Sequence, residues 1–422
     1  MDSRQMWKDL GLDLEAHDQL MQALGSAYQG VFLSQKNRPK GMAYLDFVMS
    51  EIHGLRVKEL LDAQRAGRKV FGTFCLYVPE EIPLAAGAIC VGLCAGADVG
   101  TSSAERVLPR NTCALIKSFM GFKLDRLCPY IESVDLVIGE TTCDGKTKAF
   151  EILDEHKPTF VIEVPSLKNE AARAHWRSEL RRLVAKVEEI TGRTITVESL
   201  REGVRIANAK RRAMHRLYRL READPAPISG LDALLLSQVS FYDDPVRFAQ
   251  QVNALSDELE ERVKHNEGVA PKGAKRILLS GCPMAAPNWK LPSIIEGAGA
   301  VIVGEESCVG ERGLRNLVPE DGATRDEILD HLAERYLAIP CAVFTPNGAR
   351  ADDVAAMARA YRADGVIHYA LQFCAPYTIE SNGIQRRMDR EGLPTLRLET
   401  DYGTEDVPQL RTRVEAFLET LA

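Results

Sequence analysis

Two stretches of the chain alternate short β-prone runs with helical runs, and this double alternation leaves few folds open. The first stretch has such runs at 69–74, 88–93, 135–140 and 159–164, and the second at 275–281, 300–305, 365–370 and 395–400. Between them lie helix-type segments, for example the one opened by Pro79-Glu80-Glu81 and the one from Cys113 to Arg126. Strands that alternate with helices predict parallel sheets of the doubly wound kind. A chain of 422 residues is also too long for one ordinary core. The expected class is therefore α/β, with two doubly wound, Rossmann-like parallel-sheet domains facing each other. Helical spacing at 1–66 (Leu10, Leu14, Leu20, Leu24, then Ile52, Leu55, Leu60) predicts an N-terminal helical segment. Residues 67–168 form the first α/β domain in this reading, 169–265 a helical insertion and 266–422 the second α/β domain. The basic run 201–221 is read as the solvated face of a helix, with partner docking as the sharper alternative.

Cysteine placement carries the functional signal. The chain has ten cysteines, and its N-terminus, Met1-Asp2-Ser3-Arg4-Gln5-Met6-Trp7-Lys8, has no apolar signal core. No apolar run approaches the length of a membrane helix. A cytoplasmic location is expected, where disulfides are rare, so the thiols need another account. A buried free cysteine acting as a small hydrophobe is the plain one. The positions argue otherwise: Cys75 and Cys94 follow the first two strands of the first block, Cys282 and Cys308 those of the second, and Cys143 and Cys374 follow later strands. Ligands of parallel α/β sheets bind outside the carboxyl ends of the strands. Cys113 joins this group because it begins a helix, whose N-terminus favours a thiolate.

Thiolates gathered at strand ends from two domains suit a soft metal centre, with an iron–sulfur cluster as the natural occupant. Cys128 is expected at the far end of its helix, Cys90 inside its strand, and Cys341 fits either location. Neither a ferredoxin spacing nor a C-x₂-C zinc pair occurs, so the tertiary fold must assemble any ligand set. Gly96-Ala97-Asp98-Val99-Gly100 lacks the dinucleotide fingerprint and reads as a tight loop. Glu140, Glu163, Glu305 and Glu306 are expected as ordinary loop carboxylates, with an acid–base role as the alternative, and His368 as a core histidine. A net charge of −7 argues against non-specific nucleic-acid binding.

The stretches Phe74-Cys75-Leu76-Tyr77-Val78-Pro79-Glu80-Glu81, Cys113-Ala114-Leu115-Ile116-Lys117-Ser118, Thr141-Thr142-Cys143-Asp144-Gly145-Lys146, Glu305-Glu306-Ser307-Cys308-Val309-Gly310-Glu311-Arg312 and Gln372-Phe373-Cys374 resemble the 2-hydroxyacyl-CoA dehydratase D-component superfamily. Leu108-Pro109-Arg110-Asn111-Thr112-Cys113 and Gly281-Cys282-Pro283-Met284-Ala285-Ala286-Pro287-Asn288-Trp289-Lys290 resemble its branch of double-cubane cluster proteins. The resemblance implies a 4Fe–4S cubane on Cys113, Cys143 and Cys374 and, in that branch, a second cubane joined by a sulfide to give an 8Fe–9S centre. It further implies a homodimer that receives low-potential electrons from a homodimeric, ATP-hydrolysing 4Fe–4S reductase and reduces small molecules such as acetylene. The strand-end argument assigns the second trio to Cys75, Cys282 and Cys308, with Cys94 and Cys128 in reserve. A dehydratase subunit with one 4Fe–4S cluster, eliminating water from a 2-hydroxyacyl-CoA, is the alternative. An electron carrier without turnover and a cluster-free α/β binding protein stand behind it.

Overall fold

A computed structural model describes residues 2–93 and 95–421. It contains two parallel four-stranded sheets with the same strand order. The first comprises β1 (Val70–Thr73), β2 (Ile89–Gly92), β3 (Leu136–Glu140) and β4 (Thr159–Ile162), ordered β2-β1-β3-β4. The second comprises β5 (Arg276–Gly281), β6 (Val301–Glu306), β7 (Gly365–Leu371) and β8 (Thr395–Thr400), ordered β6-β5-β7-β8. The α/β class and its duplicated plan are thus as the alternation predicts. Every residue of β3, β5, β6 and β7 is buried, as expected for parallel strands covered by helices on both faces. β8 lies at an edge and leaves part of its length exposed.

One apolar core runs through both sheets. It includes Val70 and Val137 from the first, Ile277, Ile302 and Ile367 from the second, and Phe32, Met42 and Leu45 from the N-terminal segment. That segment is helical, at Ser3–Asp9, Leu14–Tyr28, Ala43–Ser50 and Leu55–Arg65. It packs well beyond the first sheet. Tyr28 and Phe32 stack edgewise on Trp289, at 5.9 and 4.9 Å between ring centroids, and Arg38 pairs with Asp232 at 2.8 Å.

Residues 170–264 hold the helices Glu170–Thr191, Val197–Leu220, Gly230–Val239 and Pro245–Lys264. The basic helix corrects the solvated-face expectation. Arg205, Arg212 and Arg219 face solvent, but Lys210, Arg211 and Arg221 point inward. Lys210 pairs with Glu80 at 2.6 Å, Arg211 with Glu81 at 2.7 Å, and Arg221 with Glu305 at 2.6 Å. A buried guanidinium persists only where carboxylates and acceptors compensate its desolvation, and each of these has them. This helix therefore ties the segment that follows β1, at Glu80 and Glu81, to β6 of the second sheet at Glu305.

The strand-end carboxylates are corrected in the same way. Glu140, Glu305 and Glu306 are buried and ion-paired, with Lys146, Arg221, and Arg312 plus Arg350 respectively, while Glu163 is exposed beside His175. His368 is a core residue with its Nε2 3.3 Å from the Tyr377 carbonyl, and burial lowers its pKa to about 3. The glycine-bearing loop at 96–100 is a packing device. Gly96 N–H donates to the Ala286 carbonyl at 3.0 Å, and a Cβ at Gly96 would meet the Ala285 carbonyl oxygen at 2.0 Å.

Candidate metal centre

The strand order reverses direction between β1 and β3 in one sheet and between β5 and β7 in the other. Such switch points open a crevice beyond the strand ends, and here the two crevices merge. The result is a cleft of about 1240 Å³ whose wall carries Cys75, Cys113, Cys143, Cys308, Cys341 and Cys374. Apolar side chains fill much of the remaining wall, among them Phe74, Leu115, Ile116, Val309 and Phe344.

Among the described residues, the six cleft thiols fall into two groups of three. In the first, Cys113 lies beside Cys374, which also lies beside Cys282, and Cys143 lies near Cys113. All three are the N-cap residues of helices: Cys113 of Ala114–Leu124, Cys143 of Asp144–Asp154 and Cys374 of Ala375–Arg390. Three helix N-termini, each a partial positive charge, therefore converge on these sulfurs. Contact with Cys374 and burial push the Cys113 thiol well up, while the N–H groups of Leu115 and Ile116 pull it back. Burial likewise raises Cys143 against the N–H groups of Lys146 and Gly145.

In the second trio, Cys75 and Cys341 both lie beside Cys308. Cys308 is held well below its ordinary value by those two contacts, helped by the neighbouring Arg312 guanidinium and opposed by burial; Cys75 and Cys341 are raised. Arg312 Nη1 lies 3.4 Å from Cys308 Sγ, and Tyr377 Oη lies 3.8 Å from it. Each trio draws on both halves of the chain, two thiols from one and one from the other.

Cys341 stands where the strand-end argument expects Cys282. Cys282 is buried beside Cys374 and does not line the cleft. Its N–H continues the ladder to the Tyr369 carbonyl at 2.9 Å, and its Sγ accepts from the Leu371 N–H at 3.3 Å. Gly281 turns the chain to make this possible: its φ is +133°, and a Cβ there would meet the Tyr369 carbonyl oxygen at 1.8 Å. Cys341 instead follows Ile339-Pro340 in a turn with no strand before it, so no periodicity in the sequence marks it. Of the reserves, Cys128 caps the short helix Pro129–Ser133 away from the cleft, and Cys94 lies outside the described residues.

The donor set fits a soft, multi-atom thiolate-bound group and not a hard cation, which would need oxygen ligands. Among the described residues no three His, Cys, Asp or Glu side chains surround a point where a single ion would sit. The thiols line the wall of a cavity instead. Among the described residues, too, no helix is long and apolar enough to cross a membrane.

Comparison with known proteins agrees with this architecture. Residues 75–421 match the model of the family described as 2-hydroxyglutaryl-CoA dehydratase, D-component. YjiM of Escherichia coli (strain K12), named as a putative dehydratase subunit, is 39% identical over 365 residues, 86% of this chain and 94% of that protein. The (R)-phenyllactyl-CoA dehydratase beta subunit of Clostridium sporogenes is 26% identical over 85% of this chain and 93% of its own length. A benzoyl-CoA reductase component of Thauera aromatica is 23% identical over 84% of this chain and 91% of its own length. The matched segment takes in every strand after β1 and all six cleft cysteines, and the chain belongs to the 2-hydroxyglutaryl-CoA dehydratase D-component family.

Proposed function

We propose that this chain is the iron–sulfur component of an ATP-dependent, low-potential reductase, holding a double-cubane 8Fe–9S cluster in the cleft. The carrying observation is that six cleft thiols fall into two trios. Cys113, Cys143 and Cys374 would hold one cubane, and Cys75, Cys308 and Cys341 the other. When bound, such a group supplies storage and delivery of electrons at low potential. The electrons would come from a homodimeric, ATP-hydrolysing 4Fe–4S reductase, this chain would act as a homodimer, and small molecules of the acetylene type would be reduced.

The chain's own residues support that role in three ways. The helix N-termini at the first trio and Arg312 at the second favour thiolates where burial alone would oppose them. Phe74, Leu115, Ile116, Val309 and Phe344 keep much of the wall dry, which strengthens each of these electrostatic contacts. Burial pushes the Tyr377 pKa well up, so the phenol stays protonated, with its Oη 3.8 Å from Cys308 Sγ.

A dehydratase subunit with a single 4Fe–4S cluster, acting on a 2-hydroxyacyl-CoA, is the second reading. Two observations favour it: the cleft is roomier than the ~300–1,000 Å³ of ordinary ligand pockets, and one relative is named as a dehydratase subunit for an acyl-CoA. Iron and acid-labile sulfide per chain, measured on protein purified without oxygen, separate the two. About eight iron with nine sulfide supports the double cubane, about four of each supports the dehydratase, and none of either refutes both.

A further inference from the structure

The trios are served by different positive groups. Backbone N–H groups at three helix N-termini face Cys113, Cys143 and Cys374. At Cys308 the positive group is a side chain. Arg312 sits in the 3₁₀ turn Glu311–Gly313, just beyond β6, and is fully buried. Its Nε donates to Glu306 Oε1 at 2.6 Å, and its Nη2 to the carbonyls of Glu306 and Gly281 at 3.0 and 3.3 Å. Its Nη1 is shared between Tyr377 Oη and Cys308 Sγ. Behind it Arg350 pairs with both Glu306 and Glu380. Two arginines and two carboxylates thus alternate in a row that is buried up to the half-buried Glu380, with a guanidinium at the end nearest the sulfur.

We propose that Arg312 is a positioning residue that sets the reduction potential of the iron–sulfur group held at Cys75, Cys308 and Cys341. The inference rests on the reading that these thiols hold such a group. A guanidinium keeps its proton at all working pH values, so its charge is constant. Each electron added to a thiolate-bound cluster adds negative charge next to Cys308 Sγ, in a setting where charges interact strongly. Hydrogen bonds to the ligand sulfurs and burial are the levers by which a protein tunes such a potential. Arg312 stabilises the reduced state, and Glu306, 2.6 Å from its Nε, moderates it.

The two groups therefore carry opposite signs, which separates an electrostatic role from a merely structural one. The test uses the full chain purified without oxygen, as parent and as Arg312→Gln, Arg312→Lys and Glu306→Gln. Iron and sulfide are measured for each, followed by a redox titration monitored by electron paramagnetic resonance. Arg312→Gln is expected to lower the midpoint by at least a factor of ten in the reduction equilibrium, about 59 mV for one electron. Arg312→Lys should recover part of the shift, and Glu306→Gln should move the midpoint upward. If Arg312→Gln does not load iron, Glu306→Gln decides the matter alone: an upward shift supports the proposal, and no shift or a downward one overturns it. Loaded variants with unmoved midpoints, or both moving in the same direction, overturn it as well. A parent chain without iron refutes the functional reading itself, an outcome distinct from these.

Discussion

Cys341 and Cys282 offer the sharpest test of the cleft geometry, because order along the chain favours one and the fold favours the other. Cys341→Ser removes a thiol that lies beside Cys308 on the cleft wall. If that thiol is a ligand, one cubane loses a third of its protein ligands, and iron should fall from about eight to about four per chain. Cys282→Ala removes a thiol off the cleft wall that lies beside Cys374 and accepts from the Leu371 N–H at 3.3 Å. Loss of the buried sulfur costs about 0.8 kcal/mol on the scale of one methylene. An unsatisfied Leu371 N–H adds about 1–3 kcal/mol. The expected destabilisation is thus about 2–4 kcal/mol with iron content unchanged, and Cys282→Ser, which keeps an acceptor, should lose less. Iron and sulfide per folded chain, together with thermal unfolding of the same samples, read both effects. The reasoning fails if Cys282→Ala halves the iron while Cys341→Ser leaves it whole.

The remaining predictions concern the scaffold that positions the thiols. Glu81 takes 2.7 and 2.8 Å hydrogen bonds from Arg211 and Tyr336 in a buried site, so Glu81→Ala should destabilise by about 3–5 kcal/mol. Glu81→Met with Arg211→Met should cost clearly less than the sum of the single changes in urea denaturation; additive losses would contradict the pairing. Gly96→Ala should lower stability by about 1–3 kcal/mol, because its Cβ would press on the Ala285 carbonyl; a thermally neutral variant would contradict that contact. Burial lowers the pKa of His17 and, to about 3, that of His53, so below the free value of 6.5 the unfolded chain binds more protons than the folded one. Stability should therefore fall as pH drops from about 6.5 toward 3, by up to about 1.4 kcal/mol per pH unit for each proton. His53→Gln should flatten that slope, and an unchanged slope would count against the buried pair as its source.

The alternation of β-prone and helical runs places all eight strands, because buried parallel strands carry dense apolar runs such as 365–371 that few other structures tolerate. Strand ends also lead to five cleft thiols: Cys75, Cys143, Cys308 and Cys374 directly, and Cys113 through its place at a helix start. What a linear pattern does not carry is direction. Cys282 follows its strand as Cys75 follows β1, yet a glycine at positive φ keeps it in the ladder. Cys341 reaches the cleft because its turn, which includes Phe344, packs into one apolar cluster with Tyr77 and Trp176, residues that only tertiary contact brings to it. The inward-facing basic residues of the 197–221 run are hidden for a related reason. Lys210, Arg211 and Arg221 look like surface charge until Glu80, Glu81 and Glu305 arrive from distant segments.

The two-plus-one sharing of thiols has a consequence for how the protein is made. Neither half owns a complete trio: Cys113 and Cys143 wait for Cys374, and Cys75 waits for Cys308 and Cys341. Domains generally fold in order of synthesis, so the first sheet can form on the ribosome while its thiols still lack partners. Cys374 follows Cys113 and Cys143 along the chain, so under the proposed ligand assignment that trio would be complete only after the second sheet is made. A nascent or truncated first half would expose three unmatched cysteines to oxidation or to stray soft metals, a hazard that only the closing of both halves removes.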